Sequence, residues 1–166
     1  MFELKPLSAD AIPAALARAD RYRVLNEPPQ AESICLDILA VDPGNQEALV
    51  TLLLALTDQL QTGPPDLASR ARAVLPHLQG EYQRAYYAGL IAERSARALL
   101  DLGRPGSGAN VYELLVEAMR WYDEACAIRP PGNDDAVLRW NTCVRTLSKH
   151  PNLKPRQEAY EPELLE

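Results

Sequence analysis

Catalysis needs convergent polar side chains with matched protonation, so the residues able to do chemistry come first. The two histidines are His77, directly after Pro76, and His150, near the end of the sequence. Neither has a Cys, His or carboxylate at ligand or dyad spacing, so the sequence supplies no catalytic residue and no metal site. A histidine near a helix end, as at His77, is explained by its favourable interaction with the helix dipole. Cys35, Cys126 and Cys143 form no CxxC pair, and each falls inside an apolar helical pattern, where a thiol behaves as a small hydrophobe. The neighbouring carboxylates Asp123–Glu124 and Asp134–Asp135 suit solvated faces and first-turn charges. The glycine-rich stretch GRPGSG, residues 103–108, lacks the Lys-Ser/Thr ending of a phosphate loop and any preceding strand. No cofactor is expected.

Composition sets the frame in which any remaining function must work. The 166 residues suit one domain with a real core. Alanine and leucine are abundant, Phe occurs once, and β-branched residues are sparse, which favours helices. A net charge of −6 argues against a nucleic-acid binder. The start, MFELKPLSAD, is too polar for a signal peptide, and the longest apolar run, Ala48–Leu56, is too short to span a bilayer. Three cysteines, an odd number, point to a reducing compartment. A cytoplasmic protein without membrane contact is the expectation.

Helix punctuation divides the chain into about seven helical segments and no strands. The first is predicted over 11–25, with Asp10 as N-cap, Pro13 in the first turn and Asn26 in the left-handed region behind it. Pro28 and Pro29 open the second, which stops before Pro43. Asn45 caps the third, to about Leu60. TGPPD breaks the chain, and a fourth segment runs to about Gln79, where Pro76 must kink the helix or end it. The fifth spans 81–102. Asn110 with Glu113 forms a capping box for the sixth, and Asn133 caps the seventh, 134–149. The last seventeen residues read as an irregular tail.

Two of these segments say the same thing. AESICLDILAVDPGN, residues 31–45, and AMRWYDEACAIRPPGN, residues 118–133, align Ala31 with Ala118, Cys35 with Tyr122, Ile38 with Ala125 and Pro43 with Pro130. A small residue lets helices approach, a larger one four positions on fills the gap, and Pro ends the helix so the next folds back. The pattern resembles the second helix of a tetratricopeptide repeat, whose period is about 34 residues. Tyr22 and Asn26 stand nine and five before Ala31, as that family requires, whereas Ala15 and Arg18 replace its Trp and Leu. Leu49, Leu52 and Leu56 fall at family positions in a second unit, with Ala68 and Leu75 in its second helix. Gly89 occupies a close-packing position in the third.

The resemblance implies an all-α array of antiparallel hairpins in a right-handed superhelix. Its parts would be a lead-in (1–11), units near 12–45, 46–80 and 81–132, a final helix (133–149) and a C-terminal tail (150–166). It also implies a concave groove for a peptide or protein partner, lined by Arg23, Val50, Leu54, Tyr86, Leu90, Arg94, Leu138, Arg139 and Arg145. Partner apolar groups would bury against Leu54, Tyr86 and Leu90, with Arg94 and Arg145 fixing register. The function implied is a non-catalytic interaction module, an adaptor, scaffold or chaperone-like protein, with weak self-association. Two other classes are weighed beside it: a helical-bundle enzyme or small-ligand binder, and a structural subunit dimerising through Ala48–Leu56. The acidic run 158–166 is expected to fold back onto the array or dock on a neighbouring molecule.

Overall fold

A computed structural model describes residues 2–156. Among them are seven α-helices and no strand, so the all-α reading holds. A 3-10 turn, Ala9–Ala11, leads into α1 (Ile12–Val24), followed by α2 (Pro28–Val41), α3 (Gln46–Asp58) and α4 (Leu67–Val74). After a second 3-10 turn, Leu75–His77, come α5 (Glu81–Leu102), α6 (Gly108–Ala127) and α7 (Asp135–Lys149). No helix among the described residues is long and apolar enough to cross a membrane.

The punctuation works as local physical chemistry. Asn26 takes φ 58° after α1, and Glu27 N–H reaches back to the Tyr22 carbonyl at 2.8 Å, satisfying carbonyls the helix end leaves open. The Asn45 side chain accepts the Ala48 N–H at 2.9 Å and donates to Asp42 at 3.0 Å. Asn133, expected to cap α7, stands one residue before the N-cap Asp134, whose side chain makes no capping bond, and accepts the Asp135 N–H at 3.0 Å. Gly103, at φ 59°, ends α5.

Three other local expectations change. Asp10 lies inside the 3-10 turn rather than at an N-cap, and the start of α1 has no side-chain cap. Pro76 ends α4 at Val74 and sits in a 3-10 turn, where the missing N–H costs little. The capping box at Asn110 does not form. A tight turn at Arg104–Ser107, with Gly106 at φ 80°, lets α6 begin at Gly108. Asn110 then faces outward and accepts from Arg156 at 2.8 Å.

Helices consecutive in sequence pack as hairpins, α5 with α6 most extensively, while α1 meets α3, α3 meets α5 and α5 meets α7. The odd-numbered helices therefore form one continuous layer. The core divides into a leucine-rich cluster spanning α1 to α4 and joined by Ile91 of α5, a small cluster of Leu16, Ile38 and Ala48, and an alanine-rich cluster spanning α5 to α7. The duplicated stretches carry equivalent burial: Ala31, Cys35 and Ile38 are sealed from solvent, as are Ala118, Tyr122 and Ala125. In α4 the register differs from expectation. Leu67, Ala71 and Val74 are buried at that four-then-three spacing, while Ala68 and Leu75 are half-exposed. Most of the Ala48–Leu56 run is core, with only Val50 and Leu54 half-buried, so it does not offer a dimerising face.

At Gly89 the backbone of α5 lies directly against Tyr122 of α6. A Cβ there would lie 2.7 Å from Tyr122 Cε1 and 2.8 Å from Cδ1, against a ring with no free side. Overpacking costs about 1–3 kcal/mol, against roughly 1 kcal/mol that alanine gains in helix propensity. Gly89→Ala should therefore lower the urea midpoint, and Gly44→Ala, at a site with nothing within 4 Å, should leave it nearly unchanged. Equal midpoints for both variants would remove the close approach as a constraint.

Candidate groove on the odd-numbered helices

Each seam of the odd-helix layer is crossed by a polar link, and three of the nine expected binding residues, Arg23, Arg94 and Arg139, lie in these links. Between α1 and α3, Arg23 Nε donates to Asp58 Oδ2 at 2.8 Å, and the Thr51 hydroxyl reaches Asp20 at 3.4 Å. Between α3 and α5, Arg94 Nη1 donates to Asp58 Oδ1 at 2.6 Å and to Thr57 Oγ1 at 2.7 Å. One carboxylate thus joins guanidinium groups from two helices. Between α5 and α7, Arg139 Nη1 donates to Glu93 Oε1 at 3.4 Å. On the even helices Arg70 of α4 pairs with Glu32 of α2.

Glu93 is the deepest of the charged groups, at 8 % exposure. Its other oxygen accepts the Tyr122 hydroxyl at 2.6 Å. Burial pushes the Tyr122 phenol well above its ordinary range, and the Glu93 charge and hydrogen bond add to the shift. Tyr122 therefore remains a neutral donor. Burial works against the Arg139 charge, but Glu93 and the Tyr86 hydroxyl more than offset it and raise that guanidinium. Tyr86 itself stacks near Tyr82 at 5.9 Å, meets Tyr87 edge-on at 5.1 Å and lies 5.9 Å from Tyr122.

The structure therefore sorts the nine residues that the family resemblance suggested. Arg23 and Arg94 converge on Asp58, and Arg139 sits with Tyr86 around the Glu93–Tyr122 pair. Leu90 is 2 % exposed and belongs to the core, which corrects its assignment to a partner surface: the face of α5 it occupies is turned inward. Val50 and Leu54 are half-buried, and Val50 packs against the first core cluster. Leu138 is 62 % exposed and Arg145 is exposed.

Arg145 lines the larger of two clefts on this face. A cleft of about 480 Å³ separates the C-terminal halves of α5 and α7, lined by Arg97, Leu100, Asp101, Thr142, Arg145, Thr146, Lys149 and His150. A smaller one, of about 190 Å³ between α3 and α5, shares Arg97 and includes Asp58 and Arg94. Among the described residues Arg97, Arg145 and Lys149 make no ion pair. Sequence reasoning missed Arg97 and Lys149. Their signal was spacing, for Arg97 follows Arg94 by three and Lys149 follows Arg145 by four, each pair on one helical face.

Past α7 the chain runs back beside the start of α6. Leu153 is buried near Gly108, and Arg156 approaches Asn110 and Glu113. The acidic run 158–166, expected to fold back or dock, lies outside the described residues. No three His, Cys, Asp or Glu side chains converge as metal ligands among the described residues. Comparison with protein-family models, curated proteins and solved structures finds no match.

A buried, charge-assisted hydrogen bond is worth about 1.5–3 kcal/mol, whereas part-exposed ion pairs give about 0–1 kcal/mol. Tyr122→Phe should accordingly destabilise the fold more than Asp58→Asn in urea titration, and the reverse order would displace Glu93–Tyr122 from its central place. The thiols supply a second check. Burial pushes Cys35 and Cys143 up to about 12 and raises Cys126, but only Cys126 is partly accessible. Titration with a chromogenic disulfide at pH 8 should modify at most Cys126 in the native protein and all three thiols in denaturant. Fast reaction of Cys35 or Cys143 in the native state would contradict the packing.

Proposed function

We propose that this chain is a non-catalytic protein–protein interaction module of the tetratricopeptide type, an adaptor, scaffold or chaperone-like protein binding an extended partner segment along its odd-numbered helices. The observation that carries the reading is the continuous odd-helix layer, whose seam between α5 and α7 opens onto cations without ion-pair partners among the described residues. The hairpin order and the matching burial of Ala31, Cys35 and Ile38 with Ala118, Tyr122 and Ala125 support a superhelical, right-handed stacking of repeats. An extended acidic segment suits such a surface. Arg97 and Arg145 offer forked donors to carboxylates and Lys149 a point charge, while half-buried Leu100 gives an apolar side chain something to cover.

This reading moves the expected contacts. Arg23, Arg94 and Arg139 are occupied with other helices, so register falls to Arg97, Arg145 and Lys149, with Tyr86 and Leu138 flanking. Full-length protein and a variant carrying Arg97→Glu, Arg145→Glu and Lys149→Glu, matched by circular dichroism, should be compared as baits in native extract at low and high salt. Proteins held by the natural chain should release with salt and be missing from the variant's eluate. Identical proteins on both baits, or a small metabolite retained through purification instead, would defeat the proposal.

A further inference from the structure

We infer that residues 158–166 of this same chain occupy the cleft between α5 and α7 and compete there with a partner's segment, an inference that rests on the groove reading above. Three observations converge. The cleft walls carry Arg97, Arg145 and Lys149 against the single carboxylate of Asp101, whose Oδ2 is already engaged by Gln61 at 2.6 Å. Residues 158–166 read EAYEPELLE, with four glutamates and no Lys or Arg, in a chain of net charge −6. Three cations against one engaged carboxylate in the cleft, and four glutamates without a cation in this run, make the two complementary in charge.

Reach is the third observation. His150 is itself a wall of the cleft, and Arg156 is tied to Asn110 and Glu113 in the first turns of α6. Because α6 is antiparallel to both α5 and α7, its start lies at the same end of the array as the cleft. Glu161, Glu163 and Glu166 follow Arg156 by five, seven and ten positions, up to about 17, 23 and 33 Å of extended chain, while packed helix axes lie only about 8–10 Å apart. The glutamates can therefore come round to Arg97, Arg145 and Lys149, with Leu164 or Leu165 over Leu100.

Exposed charge pairs bind weakly one by one, so the same nonapeptide added from outside should bind only modestly. Tethering changes this, since a short linker gives an effective concentration in the millimolar range. A partner must then displace the internal segment, which sets a threshold on partner affinity without any change in fold.

The test uses fluorescence anisotropy of a labelled EAYEPELLE peptide at low salt on three full-length proteins. These are the natural chain, a tail variant (Glu158→Gln, Glu161→Gln, Glu163→Gln, Glu166→Gln), and the tail variant with Arg97→Gln and Arg145→Gln added. Circular dichroism matches all three for fold. The tail variant should bind the peptide about tenfold more tightly than the natural chain, and the cleft substitutions should abolish that binding. Equal binding by the natural chain and the tail variant would overturn self-occupancy while leaving a cleft that takes acidic segments. Binding to neither, or binding that survives the cleft substitutions, would overturn it as well, and the groove reading would then be decided by the bait comparison alone.

Discussion

The hydrogen bond from Tyr122 to Glu93 is the contact on which the C-terminal half of the array depends. A carboxylate at this depth is costly unless its oxygens are engaged. Tyr122 satisfies one from α6 and Arg139 the other from α7, so three helices meet at one charge. The phenol reaches Glu93 only because Gly89 leaves room for the ring to lie against α5. Placing a large aromatic where the matching stretch of α2 has Cys35 thus required a glycine on the facing helix, and the two residues make sense together.

The N-terminal half is built differently. Leucines from α3 fill its centre, and its polar links lie nearer the surface, where Asp58 holds Arg23 and Arg94 together. Such part-exposed pairs add little stability singly, but they fix the orientation of α1, α3 and α5. Arg23, Arg94 and Arg139 are occupied at the seams, whereas Arg97, Arg145 and Lys149, toward the ends of α5 and α7, make no ion pair among the described residues. In a chain of net negative charge, that cleft is locally cationic.

Much of the fold was legible because its signals are local. Asn26 and Asn45 act where their side chains and backbone preferences suggest, and the Ala–Cys–Ile and Ala–Tyr–Ala triplets bury as their spacing requires. Where reading failed, longer-range packing had overridden a local preference. Asn110 has good capping chemistry, yet a tight glycine turn and the covering Leu153 start α6 earlier. In α4, Ala68 fits the repeat by residue type, but Leu67, Ala71 and Val74 present the broader apolar stripe and take the core.

The candidate groove was only partly legible for a related reason. Helical spacing places residues on a common face, and it put Arg23, Tyr86, Arg94, Arg139 and Arg145 on helices that do adjoin. What a charged side chain does there depends on the distance to an opposite charge on another helix, which no local pattern encodes. By itself the sequence determined the helices, several of their ends, the paired arrangement and the small-residue seams, because each follows from backbone conformation and residue volume within one or two turns. The tertiary structure alone decided which arginines are tied to Asp58 and Glu93, that Leu90 is core, and that Arg97, Arg145 and Lys149 share a cleft. Those outcomes depend on where residues tens of positions apart come to rest, and electrostatic pairing and burial are properties of that arrangement.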